Sequence, residues 1–170
     1  MIRLAAPLAL AAGLLLSGCG MRPLYGGGPQ GAVRQTLAAV EVAPIEGQNG
    51  WLVSNALRDR LAGADAGAAP RYRLQVALDD EIIGLGVRRN DTITRERRTL
   101  RARYQLVDTV SGAIVLDATA GSDAGIDVVS SEYATIAAEQ TALENLAKVV
   151  ADKIVARLAL QLREGQAGGQ

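Results

Sequence analysis

The sequence predicts an α+β fold: a two-layer sandwich with two helices on one face of a mostly antiparallel four-stranded sheet, in the order strand, helix, strand, strand, strand, helix. Three observations predict it. Residues 71–79 and the second half of 92–108 alternate apolar and polar side chains at period two, the signature of strands with one buried face. Residues 131–164 contain neither Gly nor Pro and repeat Leu, Ile and Val at steps of three, four and seven, the spacing of a wide helical stripe. A length of 170 residues suits one domain with a hydrophobic core and is short for two.

The elements follow in chain order. After Met1, Ile2 and Arg3, the stretch from Leu4 to Leu16 is apolar except for Pro7 and Gly13. It is too short to cross a hydrocarbon core of about 30 Å as a helix, and it has the layout of a secretory signal peptide. The other reading, a buried N-terminal helix, is opposed by Pro7 and Gly13. Leu16-Ser17-Gly18-Cys19 resembles the bacterial lipobox, and Cys19 is the one cysteine of the chain. That resemblance implies removal of residues 1–18, a diacylglycerol thioether on Cys19 and a further acyl chain on its new amino group. Several chains together make a durable anchor at about 0.8 kcal/mol per buried CH₂. A buried free Cys acting as a small hydrophobe is the competing reading. Gly20 is not the Asp that commonly retains such lipoproteins at the inner membrane, which implies outer-membrane sorting.

Residues 19–36 are rich in Gly and Pro and read as a lipidated flexible tether. The single domain spans 37–164, and 165–170 form a disordered C-terminal tail. Leu37 to Ala43 carries Val40 and Val42 at period two and stops at Pro44, a short strand. Asn49 caps a helix through Arg60 whose apolar side is Trp51, Leu52, Ala56, Leu57 and Leu61. Gly63 to Pro70 is a loop. In the next strand Tyr72, Leu74, Val76 and Leu78 face the core, and an extension through Glu81–Arg89 meets Gly84 and Gly86, which permit a bulge. Asn90-Asp91 turns the chain into a long strand, Thr92 to Asp108, with Leu100, Ala102, Tyr104 and Leu106 inward. Ser111-Gly112 is the next turn, Ala113 to Ala120 the last strand, and a loop follows Gly125. The final helix presents Ile136, Leu143, Leu146, Val150, Ile154, Leu158 and Leu162. It is long enough for a break near its start, and Gly165 is placed to end it.

Composition excludes several functions. The chain has no histidine, so the commonest general base and zinc ligand are both missing. No phosphate-binding loop, nucleophile elbow or Cys/His metal set appears, and the third position of a Gly84-Leu85-Gly86 dinucleotide loop is Arg89. Neither catalytic residues nor a cofactor or metal is expected. Lys plus Arg and Asp plus Glu are both 18, giving no global pull toward nucleic acid. Asp79-Asp80-Glu81 reads as a solvated strand end, with cation binding the lesser alternative.

The notable cluster is basic: Arg88, Arg89, Arg95, Arg97, Arg98, Arg101 and Arg103. Strand parity puts Arg97, Arg101 and Arg103 on the face away from the core, together with Arg71 and Arg73 of the neighbouring strand. These five are the candidate binding residues, because guanidinium groups offer forked donors to phosphate and carboxylate. A solvated face that discourages unwanted strand pairing competes evenly with that reading.

The start Gly18-Cys19-Gly20-Met21-Arg22-Pro23-Leu24-Tyr25-Gly26, the strand TRERRTLRARYQLVD and the helix opening SSEYATIAAEQTALENLA together resemble the lipopolysaccharide-assembly lipoprotein family LptE, in its alphaproteobacterial form. Gln140-Thr141-Ala142-Leu143 departs from the charged pattern of that family while keeping the apolar phase. The resemblance implies a non-enzymatic lipoprotein at the periplasmic side of the outer membrane, held there through Cys19. It implies that the protein plugs a large LptD-type β-barrel, binds lipopolysaccharide and helps deliver it to the outer leaflet. The alternative is an auxiliary lipoprotein of an ABC-type lipid-transport system. A periplasmic hydrolase is disfavoured by the missing histidine and nucleophile motif.

Overall fold

The computed structural model describes residues 32–61, 70–87 and 93–167. The signal peptide, Cys19, the tether up to residue 31, the 63–69 loop, Arg88, Arg89 and the Asn90-Asp91 turn lie outside the described residues. The elements in order are α1 (Ala32–Ala38), β1 (Val40–Val42), α2 (Gly47–Leu61), β2 (Tyr72–Val87), β3 (Ile93–Asp108), β4 (Ile114–Asp127) and α3 (Glu132–Ala167). They form the expected α+β sandwich, with one helix more than expected. The sheet order is β1-β2-β3-β4. Short β1 pairs parallel to β2 through the α2 crossover, whereas β2–β3 and β3–β4 are long antiparallel pairs.

One face of the sheet is sealed. Tyr72 and Leu74 of β2, Leu100, Ala102, Tyr104 and Leu106 of β3 and Leu116 of β4 pack under the helices. From α3 come Leu143, Leu146, Val150, Ile154, Leu158 and Leu162, and from α2 Val53, Leu57 and Leu61. The two helices run in the same direction. Gln48 donates to Gln140 near their N-terminal ends, and Arg60 forms an ion pair with Asp152 twelve residues further along both. The Arg60 guanidinium holds the Asp152 carboxyl below the usual carboxylate range.

Several sequence expectations are corrected here. The strand expected from Leu37 begins at Val40, because residues 32–38 form α1 and bury Leu37 in the core. Helix α2 starts at Gly47, which takes a φ of +82°. Asn49 sits inside its first turn, its Oδ1 accepting from the adjacent Gly50 N–H. Trp51 is 63% exposed rather than part of the apolar side. No bulge interrupts β2, whose register with β3 runs unshifted from Tyr72↔Asp108 to Leu85↔Arg95 past Gly84. Strand β4 continues beyond Ala120 to Asp127, since Ser122, Ala124 and Ile126 keep pairing with β3. Helix α3 has no break and passes through Gly165, and Ile136 at its start is 54% exposed.

Candidate binding face

Strand alternation decides which side chains face away from the helices. The register puts Arg73, Gln75, Ala77, Asp79, Glu81 and Ile83 of β2 on that open face, with exposed Arg71 directly ahead of the strand. Beside them lie Gln105, Arg103, Arg101, Thr99 and Arg97 of β3, then Asp117, Thr119, Gly121, Asp123 and Gly125 of β4. All five arginines singled out from the sequence, Arg71, Arg73, Arg97, Arg101 and Arg103, are exposed there.

They divide into two sets. Arg71 lies 3.6 Å from Asp108, and Arg73 lies 3.6 Å from Glu41. Arg103 reaches Asp117 at 3.1 Å, where Gln105 also donates at 2.8 Å. These two donors, Arg103 first, hold the Asp117 carboxyl below its ordinary range. Asp108 is likewise lowered, mainly because its carboxylate accepts from the Ser111 and Val110 backbone N–H groups in the β3–β4 turn. Arg97 and Arg101 form no ion pair among the described residues. Each stands directly across from a glycine of β4, Gly125 and Gly121 respectively.

Arg98, a member of the same basic cluster, faces the other way. It turns under α3 and forms a forked pair with Asp80, at 2.9 Å and 2.6 Å, while a third N–H donates to the Glu139 carbonyl at 2.9 Å. Both side chains are only 13% exposed. Next to it on β3, Glu96 stands close to Glu139, with one carboxylate oxygen enclosed and unpartnered. Burial first, and then the neighbouring negative charge, pushes its pKa up.

Alternation also splits the acidic run that the sequence suggested was a solvated strand end. Asp80 points inward to Arg98, and Asp79 and Glu81 point to the open face. No cluster of three or more potential metal ligands occurs among the described residues. Parity alone would have separated Asp79 from Asp80, whereas the role of Gly121 depends on a β3–β4 register that no local pattern announces.

These features define a class of protein: a small α+β scaffold that seals one sheet face with helices and presents the other, polar and rich in guanidinium groups. The chain belongs to the LptE family, Lipopolysaccharide-assembly, whose family model matches residues 37–158, well over half of the sequence. Its role therefore lies in lipopolysaccharide assembly, within a family of non-enzymatic envelope lipoproteins. A candidate lipoprotein from Caulobacter crescentus CB15 is similar in structure at 29% sequence identity and a TM-score of 0.64, covering 77% of this chain and 96% of that one. The rare lipoprotein B of Shewanella oneidensis shares the fold at 11% identity and a TM-score of 0.58, over 75% and 96% of the two chains. A minor lipoprotein of Acinetobacter baumannii does so at 13% identity and 0.55, over 71% and 88%. No curated protein matches the sequence.

Proposed function

We propose that the chain is exported, acylated on Cys19 after removal of residues 1–18, and held at the periplasmic side of the outer membrane. There it occupies an LptD-type β-barrel and binds lipopolysaccharide on its way to the outer leaflet. Beside the family match, one observation carries this reading: the sheet face opposite the helices is uncovered over three long strands and presents unpaired Arg97 and Arg101. The lumen of a large barrel is polar, and a rigid polar sheet is a surface that such a lumen accommodates. Guanidinium groups without internal partners are available to lipid phosphates or to acidic barrel side chains. Among the described residues no helix is long and apolar enough to cross a membrane; the lipobox-like Leu16-Ser17-Gly18-Cys19 supports attachment through Cys19.

The test is affinity purification of the tagged, full-length protein from its own outer membrane in mild detergent. A large β-barrel recovered in stoichiometric amount is the expected result. Recovery with the parts of an inner-membrane transporter and no barrel would overturn it.

A further inference from the structure

On the open face, strands β2, β3 and β4 enclose a shallow basin of about 410 Å³, lined by Ala77, Asp79, Arg101, Arg103, Thr119 and Gly121, a volume in the range of small-ligand sites. Its charges are arranged unusually. Asp79 and Arg101 are direct cross-strand partners, a spacing at which opposite charges commonly pair. Here neither has an ion-pair or hydrogen-bond partner among the described residues. Gly121 supplies the reason. The Arg101 stem lies toward β4, where a Cβ on Gly121 would come within 3.3 Å of Arg101 Cγ. The glycine thus accepts the arginine stem and leaves the Asp79 carboxylate on the opposite rim. Ala77, directly across from Arg103, and Gly121 keep the floor low between them.

Such a site does not suit a bare anion, which Asp79 repels, nor an acyl chain, which would strip water from two unpaired charges. It suits a ligand that carries a phosphate and, a few ångströms away, hydroxyl or ammonium donors on a flat ring. We propose that this basin is a subsite for a phosphorylated sugar. Arg101 takes the phosphate, joined by the donor that Arg103 does not spend on Asp117. Asp79 accepts from the ring substituents, and the ring lies over Ala77 and Gly121. The inference rests on the lipopolysaccharide reading and assigns the saccharide-phosphate portion of that ligand to named residues.

The experiment titrates the full mature chain, in mild detergent, with glucosamine 1-phosphate and separately with inorganic phosphate, followed by isothermal calorimetry and NMR. Lipopolysaccharide binding by the same preparations is measured in parallel. Arg101→Gln is expected to weaken glucosamine 1-phosphate at least tenfold. Asp79→Asn is expected to weaken it about fivefold and to leave phosphate unchanged or tightened. Both positions are exposed strand sites on the open face, and circular dichroism verifies that each variant is folded. Equal affinity for the two probes, or an Asp79→Asn variant that binds the sugar phosphate like wild type, overturns the proposal by reducing the basin to a charge patch. Lipopolysaccharide binding that persists in that case leaves the broader reading intact, whereas wild-type protein that binds no lipopolysaccharide sinks the broader reading itself.

Discussion

Removal of the Asp80 carboxylate alone, in Asp80→Ala, leaves the Arg98 guanidinium under α3 with one of its three hydrogen bonds, the one to the Glu139 carbonyl. Both partners are 13% exposed, so water replaces little of what is lost. Breaking a buried pair from one side costs about 3–5 kcal/mol, and the residual exposure here lowers the expectation to about 2–4 kcal/mol. For a domain of this size that is a fall in Tm of roughly 6–15 °C. The double variant Asp80→Leu/Arg98→Met strands no charge and keeps most of the volume, so it should lie within about 1 kcal/mol of wild type. Urea unfolding of wild type, Asp80→Leu, Arg98→Met and the double variant closes the cycle; two single losses of about 2–4 kcal/mol against a near-neutral double variant correspond to a coupling of about 3 kcal/mol or more. Hydrogen exchange should localise the single-variant loss to the first turns of α3. Single variants within 0.5 kcal/mol of wild type, with unchanged exchange in those turns, would show that the pair does not fasten the helix to the sheet.

Three further outcomes are expected. Glu96 has a folded pKa above its unfolded value, so its contribution is fully present below the unfolded pKa and is lost as pH rises through the folded one. Glu96→Gln should therefore gain on wild type at neutral pH and lose that advantage toward pH 4; a stability difference that stays flat with pH would contradict the assignment. Leu158→Ala, at a fully buried contact of α3 with the core, should cost about 2–5 kcal/mol in denaturant unfolding at unchanged m-value. Cys19→Ala should leave the precursor unprocessed and the protein out of the outer-membrane fraction, which immunoblotting of fractionated cells reads directly; normal outer-membrane fractionation would contradict acylation at Cys19.

How much of this was legible depended on whether a feature is written in local periodicity. The alternation of Tyr72, Leu74, Val76 and Leu78 against Arg71, Arg73 and Gln75 assigned both faces of β2 correctly, because one face is sealed and the other is wet. The same rule placed all five candidate arginines. It misjudged β4 because Gly121 and Gly125 look like strand breakers. They fall on the open face, where a side chain is not needed for packing, while Ser122, Ala124 and Ile126 continue on the helix side. Trp51 and Ile136 are apolar but stand outside the helix contacts, a fact of tertiary placement that their spacing does not carry. Which arginines are neutralised was also beyond local reading. Arg103 meets Asp117, and Arg101 meets a glycine, only because of a register set across two strands.

The position of α3 in the chain has a consequence for biogenesis. It is the last of the described elements, and it contributes ten of the side chains in the core, from Leu143 to Leu162. The meander β2–β3–β4 is made by neighbours in sequence and can pair early. Until the last segment arrives, however, its inner face of Leu74, Leu100, Tyr104 and Leu106 has nothing to rest on. A chain that emerges amino-terminus first therefore keeps this apolar face uncovered until α3 has followed. Apolar surface left open in this way is prone to association, and truncation ahead of Leu143 would remove the side chains that cover it.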